Sequence, residues 1–263
     1  MFFPGQHGIL SAYEEDIFPA FAAKGIAVLA VAYPRQNGAH GTSHLNEILA
    51  LGARVVASAQ STCPGQRVVV YGRSLGSMVA AYVAARSQLT GLILESAAPA
   101  RSSAIRLRLS ARWYLAPLAL LPVSRLLPHD YSLAEALSST RGVPAVVFQG
   151  TADSETPLSF LRVAGVPDNL RLVVVSGGSH PTTYLLARDR IINTALSMLR
   201  SQRSCHFLVD CPKADARDDK NASDSDTGHG RYRPTTDVRS LNLPIAKRSV
   251  TDDNLLLTAA LYW

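Results

Sequence analysis

The sequence predicts a three-layer α/β fold built around a mostly parallel sheet. Three observations point there. Strand-like and helix-like segments alternate from the first residue to about residue 200, a rhythm that implies crossover connections. The strand-like segments are continuous apolar runs such as Ile26-Ala27-Val28-Leu29-Ala30-Val31-Ala32. Such runs suit strands covered on both faces, whereas a half-exposed sheet would alternate apolar with polar. Finally, Gly72-Arg73-Ser74-Leu75-Gly76 marks a sharp strand-to-helix corner, where glycine avoids collisions that a side chain would cause.

In chain order, Met1-Phe2-Phe3 opens as a strand, and Pro4-Gly5-Gln6-His7-Gly8 follows as a glycine-rich turn. Gly25–Tyr33 is the next strand. Asn46–Gln60 reads as a helix, with Ile48, Leu49, Leu51, Val55 and Val56 forming its apolar stripe. Arg67–Tyr71 is a β-branched strand leading into the glycine corner, and Ser77–Ala85 is a small-residue helix leading out of it. Gly91–Glu95, Val143–Gln149 and Leu170–Val175 are three further buried strands. Arg188–Arg200 is a closing amphipathic helix. The stretch 97–141 breaks the rhythm. It is rich in Leu, Ala and Arg, with Trp113 and Tyr114 at its centre, and is expected as a helical cap or lid inserted into the 1–200 domain, or as plain helical packing. Residues 201–263 differ in composition. Asp215–Asp226 has almost nothing to bury, so the segment is expected as a low-order polar tail. Its apolar end, Leu255–Trp263, is expected to dock back as a helix or to be an artefact of an extended reading frame.

Composition narrows the partners. The 263-residue chain has 26 Lys and Arg against 20 Asp and Glu, a net charge of +6. All of the excess lies in residues 1–200, where Arg101, Arg106, Arg108, Arg112 and Arg125 occupy a stretch with no acidic residue. This basic stretch suits anionic substrates or a membrane surface, or simply a solvated helix face. No basic patch interleaved with aromatics is present of the kind that tracks nucleic acid. Cys63, Cys205 and Cys211 make no paired framework and no Cys-x-x-Cys site, so they read as ordinary thiols in a reducing compartment. Trp113–Val123 is too short to cross a membrane and is interrupted by Pro117 and Pro122. With no leader visible at Met1, the expected location is cytoplasmic.

The chemistry-bearing residues sit in strand-end loops. A serine on a Gly-x-Ser-x-Gly corner, held strained between strand and helix, has its hydroxyl lifted clear of the backbone. At neutral pH that hydroxyl needs a base to remove its proton and a third group to orient the base. His180 follows the last predicted strand in Ser176-Gly177-Gly178-Ser179-His180, with small residues that let the backbone approach Ser74. Asp153 follows the strand ending near Phe148, in Gly150-Thr151-Ala152-Asp153. It serves equally as the cap of the helix that Pro157 opens. Glu155 is the rival carboxylate, farther from the strand end. An oxyanion would need donors already in place: the N–H of Leu75, just after the serine, and the N–H of Gln6 in the first glycine-rich turn. No cofactor is implied.

These motifs resemble the α/β-hydrolase superfamily, and within it the serine-aminopeptidase-like and abhydrolase-domain branch. The resemblance rests on Phe3-Pro4-Gly5-Gln6, Ala27–Tyr33, Tyr71–Ser77, Leu92–Ser96, Gly150–Asp153 and Gly177–His180, and covers residues 1 to about 200. It implies Ser74, His180 and Asp153 as a catalytic triad acting on a small-molecule acyl ester or thioester. A peptidase acting on small peptides, or a catalytically silent binding module, are the other readings. Three departures stand out. Pro4 and Gln6 replace the His and Asn of the family's usual oxyanion loop. Ala32 replaces the Asp usually found before the Tyr of the next loop. The chain also starts inside what resembles the third strand, so the first two strands and any upstream anchor are missing. That leaves an open sheet edge as an expectation and suggests a truncated reading frame.

Overall fold

The computed structural model describes residues 1–6, 10–36, 44–127, 130–140, 142–163, 170–201, 246–252 and 255–262. Six strands form the predicted parallel sheet: β1 (Phe2–Phe3), β2 (Val28–Val31), β3 (Val69–Arg73), β4 (Gly91–Glu95), β5 (Ala145–Gly150) and β6 (Leu170–Val175). They lie in the order β6-β5-β4-β3-β1-β2, each parallel to its neighbours. Leu92, Ile93 and Leu94 are wholly buried, as the apolar runs require.

Helices cover both faces. On one side, α3 (Leu45–Thr62) and α4 (Leu75–Ala84) enclose a core containing Phe3, Val56, Val70, Val79, Val83, Leu92 and Leu94. On the other, α2 (Ile17–Ala22) and α8 (Thr183–Ser201) close over Phe2, Phe18, Tyr71, Ile93, Phe148 and Ile191. The short helices α1 (Ser11–Glu14) and α2 were not among the expected elements. Pro19 lies in the first turn of α2, where a missing N–H costs nothing.

The insertion is anchored at a narrow neck. Ala100 bridges Ser132 in antiparallel fashion, Arg101 N–H donates to the Tyr131 carbonyl at 3.2 Å, and Leu133 N–H donates to the Pro99 carbonyl at 2.8 Å. Beyond the neck stand α5 (Arg101–Ser110), a 3-10 turn (Ala116–Leu120) and α6 (Val123–Leu126). Asp130 accepts from the Ser102 N–H at the start of α5. The last helix, α7 (Leu133–Ser138), is different: Leu133 and Leu137 are buried in the core with α4. The cap therefore narrows to about 101–127, because α7 pays for its place by filling space beside the sheet.

Two strands appear where the sequence suggested a polar tail ending in a helix. β7 (Ala246–Asp252) and β8 (Leu255–Tyr262) form an antiparallel pair, and β8 runs antiparallel to β2 with Val28 opposite Tyr262 and Val31 opposite Ala259. Leu255–Tyr262, expected as part of a docked helix or a reading-frame artefact, is thus a strand. The open edge of β2 supplies a row of unpaired backbone groups, and strand pairing satisfies them where a docked helix would not. The rest of the expected tail, 202–245, lies outside the described residues. Ending the chain at Ile245 should re-expose β2. Faster hydrogen exchange at Val28–Val31 and concentration-dependent light scattering are the expected results; unchanged exchange would show that β8 adds no protection.

Cys63 also departs from expectation, since it is disulfide-bonded. The only other cysteines, Cys205 and Cys211, lie outside the described residues. Cys63 is therefore not an ordinary free thiol, and the cysteines do not point to a reducing compartment.

Candidate active site

The site assembles at the carboxyl ends of β3, β5 and β6, as parallel sheets arrange. At the β3–α4 corner Ser74 adopts φ 52° and ψ −117°, a strained conformation for a residue with a side chain. Packing enforces it. A Cβ on Gly72 would lie 2.2 Å from the Gly76 carbonyl oxygen, and one on Gly76 would lie 2.0 Å from the Phe3 carbonyl oxygen. Both contacts are with backbone, which cannot swing aside. Ser74 N–H is held by the Glu95 carbonyl at 2.9 Å, and the Ser74 carbonyl accepts from the Ser77 hydroxyl at 2.6 Å. Gly76→Ala should therefore destabilise the fold by about 3 kcal/mol or more. A melting temperature matching wild type would show that the corner relaxes.

Asp153 and His180 meet because the loops after β5 and β6 are fastened together. Thr151 N–H donates to the Val175 carbonyl at 3.0 Å, and Ala152 N–H donates to the Gly178 carbonyl at 2.9 Å. Gly177 N–H donates to the Thr151 hydroxyl at 2.9 Å. A Cβ on Gly150 would stand 2.0 Å from the Gly178 oxygen, so the approach depends on glycine. Gly177, at φ 70°, makes the left-handed turn that redirects the chain toward His180.

The side chains then fall in line. Ser74 Oγ lies 2.9 Å from His180 Nε2, and His180 Nδ1 lies 3.0 Å from Asp153 Oδ2. With a carboxylate at Nδ1, that nitrogen carries the proton and Nε2 is free to accept. Asp153 is 4% exposed and fully engaged. Its Oδ1 accepts from the backbone N–H groups of Glu155 at 3.0 Å and Thr156 at 2.8 Å. Its Oδ2 accepts from the Thr156 hydroxyl at 2.8 Å and from Gln149 Nε2 at 3.2 Å. Burial alone would push this carboxyl up. The His180 hydrogen bond, the Thr156 N–H, the imidazole's charge and the Thr156 hydroxyl outweigh burial and hold it below its ordinary value. Glu155 lies on the other side of the ring, 3.9 Å from Nε2, with a half-exposed side chain. Of the two carboxylates, Asp153 is the one that meets Nδ1.

Leu75 opens α4, so its N–H has no acceptor within the helix. Gly5 presses against Ser74, and a Cβ there would lie 3.9 Å from Ser74 Oγ. Gln6 is tied down from two sides. Its carbonyl accepts from Gln36 Nε2, and its side-chain oxygen accepts from Arg108 of the cap at 3.4 Å. Among the described residues neither the Leu75 nor the Gln6 N–H is engaged by a hydrogen bond. An anion beside Ser74 would also meet the positive end of α4. No cluster of His, Cys, Asp or Glu among the described residues is disposed to hold a metal ion.

The sequence reading overlooked two residues here. Arg73 and Glu95 face each other in the β3–β4 register and pair at 3.2 Å, with Glu95 wholly buried. A single acidic residue ending an apolar strand was the available signal. Burial pushes the Glu95 carboxyl up, and the opposing pull of Arg73 and the Tyr71 hydroxyl reduces that rise without cancelling it.

The model of the α/β-hydrolase family matches residues 4–239. The fold is shared with a monoacylglycerol lipase from Paleococcus ferrophilus (14% identity, TM-score 0.50, covering 75% of this chain and 93% of that one). It is shared with a protein from Thermus thermophilus (19% identity, TM-score 0.52, 76% and 87% covered). It is also shared with a structure reported in work on carboxylesterases of Nitrososphaera gargenis (11% identity, TM-score 0.51, 76% and 90% covered). No curated protein matches at the level of sequence. The family match spans most of the chain and the sheet follows the same architecture: this chain belongs to the α/β-hydrolase family.

Proposed function

We propose that the protein is a serine hydrolase that cleaves a carboxylic ester or thioester through an acyl-enzyme on Ser74. The observation that carries this reading is the continuous line from Ser74 Oγ through His180, at 2.9 Å and 3.0 Å, to the buried Asp153 carboxylate. Ser74 Oγ attacks the carbonyl carbon while His180 Nε2 takes its proton. Asp153 holds the ring in the reactive tautomer and stabilises the imidazolium. The oxyanion accepts from the N–H groups of Leu75 and Gln6. Collapse expels the alcohol or thiol, which takes the proton from Nε2. Water, activated by the same nitrogen, then adds to the acyl group and releases the acid and Ser74. Family membership supports the reading, as do the names of fold neighbours, a monoacylglycerol lipase and carboxylesterases.

Purified protein should react with a fluorophosphonate probe and turn over nitrophenyl acyl esters faster than amino-acid nitroanilides, whose amine leaving group asks more of His180 as an acid. Preference for the nitroanilides would favour the peptidase reading. Folded protein that reacts with neither would favour a silent binding module.

A further inference from the structure

We propose that the cap, residues 101–127, docks on an anionic lipid bilayer. Six large apolar side chains project from it between 113 and 126: Trp113, Tyr114, Leu118, Leu120, Leu121 and Leu126, with Trp113 at 87% and Leu120 at 85% exposure. Isolated exposed hydrophobics are ordinary, but six within fourteen residues of one insertion, two of them in ring contact, are not. The same segment carries Arg106, Arg108, Arg112 and Arg125, all exposed; Arg106 Nε donates to the Ala119 carbonyl at 3.2 Å, within the insertion. No acidic residue lies between Glu95 and Asp130, and Asp130 already accepts from the Ser102 N–H. None of these four arginines is ion-paired among the described residues.

The occupant follows from shape and charge. Trp113 and Leu120 protrude, so a protein partner would need a matching pocket for each, whereas a bilayer takes protruding side chains without one. Indole and phenol rings beside leucine suit the boundary between acyl chains and headgroups. Exposed arginines with no carboxylate partner among the described residues suit anionic headgroups. Arg108 also reaches Gln6, beside Ser74, at 3.4 Å, so the docking segment is tied to the edge of the site. The proposal goes beyond the hydrolase reading, since binding needs no turnover.

The test is co-sedimentation of the full chain with phosphatidylcholine vesicles, with and without phosphatidylserine. Binding should be about tenfold stronger on the anionic vesicles and should weaken as salt is raised. The double variant Trp113→Ser/Leu120→Ser should lose most of it while hydrolysing a soluble nitrophenyl ester at the wild-type rate. Equal sedimentation of wild type and variant, equal binding to both vesicle types, or no binding would overturn the proposal. So would light scattering that shows a wild-type dimer split by the same substitutions, which would make this segment a contact between two copies.

A separate observation assigns Arg73 as a positioning residue for His180; this inference rests on the hydrolase reading. The guanidinium is held on three sides. Nε pairs with Glu95 Oε1 at 3.2 Å, Nη1 donates to the Tyr13 hydroxyl at 2.7 Å, and Nη2 donates to the His180 backbone carbonyl at 2.9 Å. It also lies 5.0 Å from the centre of the Tyr184 ring. Glu95 thus governs both partners of the 2.9 Å contact: its carbonyl holds the Ser74 N–H, and its carboxylate holds the arginine that holds the His180 backbone. Only a planar fork makes these bonds together.

Arg73→Gln alone would strand a buried carboxylate, so the informative variant is Arg73→Gln/Glu95→Gln, which keeps the pair neutral. Its kcat should fall about a hundredfold with KM little changed, and the low-field proton signal of His180 Nδ1–H should broaden. Arg73→Lys, keeping charge without the fork, should fall between. A double variant with wild-type kcat and an unchanged proton signal, altered only in melting temperature, would reduce Arg73 to a structural role. The proton signal is read without substrate, so it is separable from a failure of the hydrolase reading.

Discussion

Ser74→Ala should lower kcat by about a million-fold and abolish fluorophosphonate labelling, with the melting temperature near wild type. The size follows from non-additivity: in the proposed triad His180 and Asp153 act only through the serine oxygen, so its removal would idle all three. The fold should tolerate the change, because the corner is held by backbone contacts of Gly72, Gly76 and Glu95, none of which uses the hydroxyl. Residual turnover close to wild type, or labelling of the variant, would place the reaction elsewhere.

Asp153→Asn should cost about ten-thousand-fold in kcat. An amide presents its NH2 or its carbonyl to Nδ1 and no longer fixes the proton there, so Nε2 is not held ready to accept. The same substitution carries a pH signature. The Asp153 carboxyl is held below its ordinary 3.8, so the folded state favours the ionised form more than the unfolded chain does. Its contribution to stability is fully present above that value and is lost as pH falls through the lowered folded one. The stability gap between wild type and Asp153→Asn should therefore be widest near neutrality and close on acidification below 3.8. Chemical denaturation at several pH values measures it; a gap independent of pH would mean that the carboxylate is not preferentially stabilised in the fold.

How much of this was readable depends on the kind of information each element carries. Leu92-Ile93-Leu94 and Val146-Val147-Phe148 announce buried strands because only a strand covered on both faces takes so unbroken an apolar run. Their boundaries were less legible. The run Gly25–Tyr33 yields a strand only at Val28–Val31, the four residues that pair with β8, while β1 meets it only at Ala30. Tyr33 is buried without being part of the ladder. Burial is written in composition; pairing depends on what lies alongside.

The same division runs through the site. Ser74, Asp153, His180, Leu75 and Gln6 could be nominated as candidates because each sits in a short local pattern of glycine, small residues or strand end. Arg73 and Glu95 were not, since an arginine beside a serine and a glutamate closing a strand gain meaning only when parallel pairing sets them opposite one another. The strand at Leu255–Tyr262 is a similar case: its apolar residues are neutral between helix and strand, and the free edge of β2 decides. What this sequence determined alone was the layering, the glycine corner and the order of the candidate Ser, Asp and His, all consequences of local sterics and hydrophobic patterning. Tertiary structure decided which carboxylate meets the imidazole, what clamps the imidazole's backbone and what covers the sheet edge, because each of those is a contact between residues far apart in the chain.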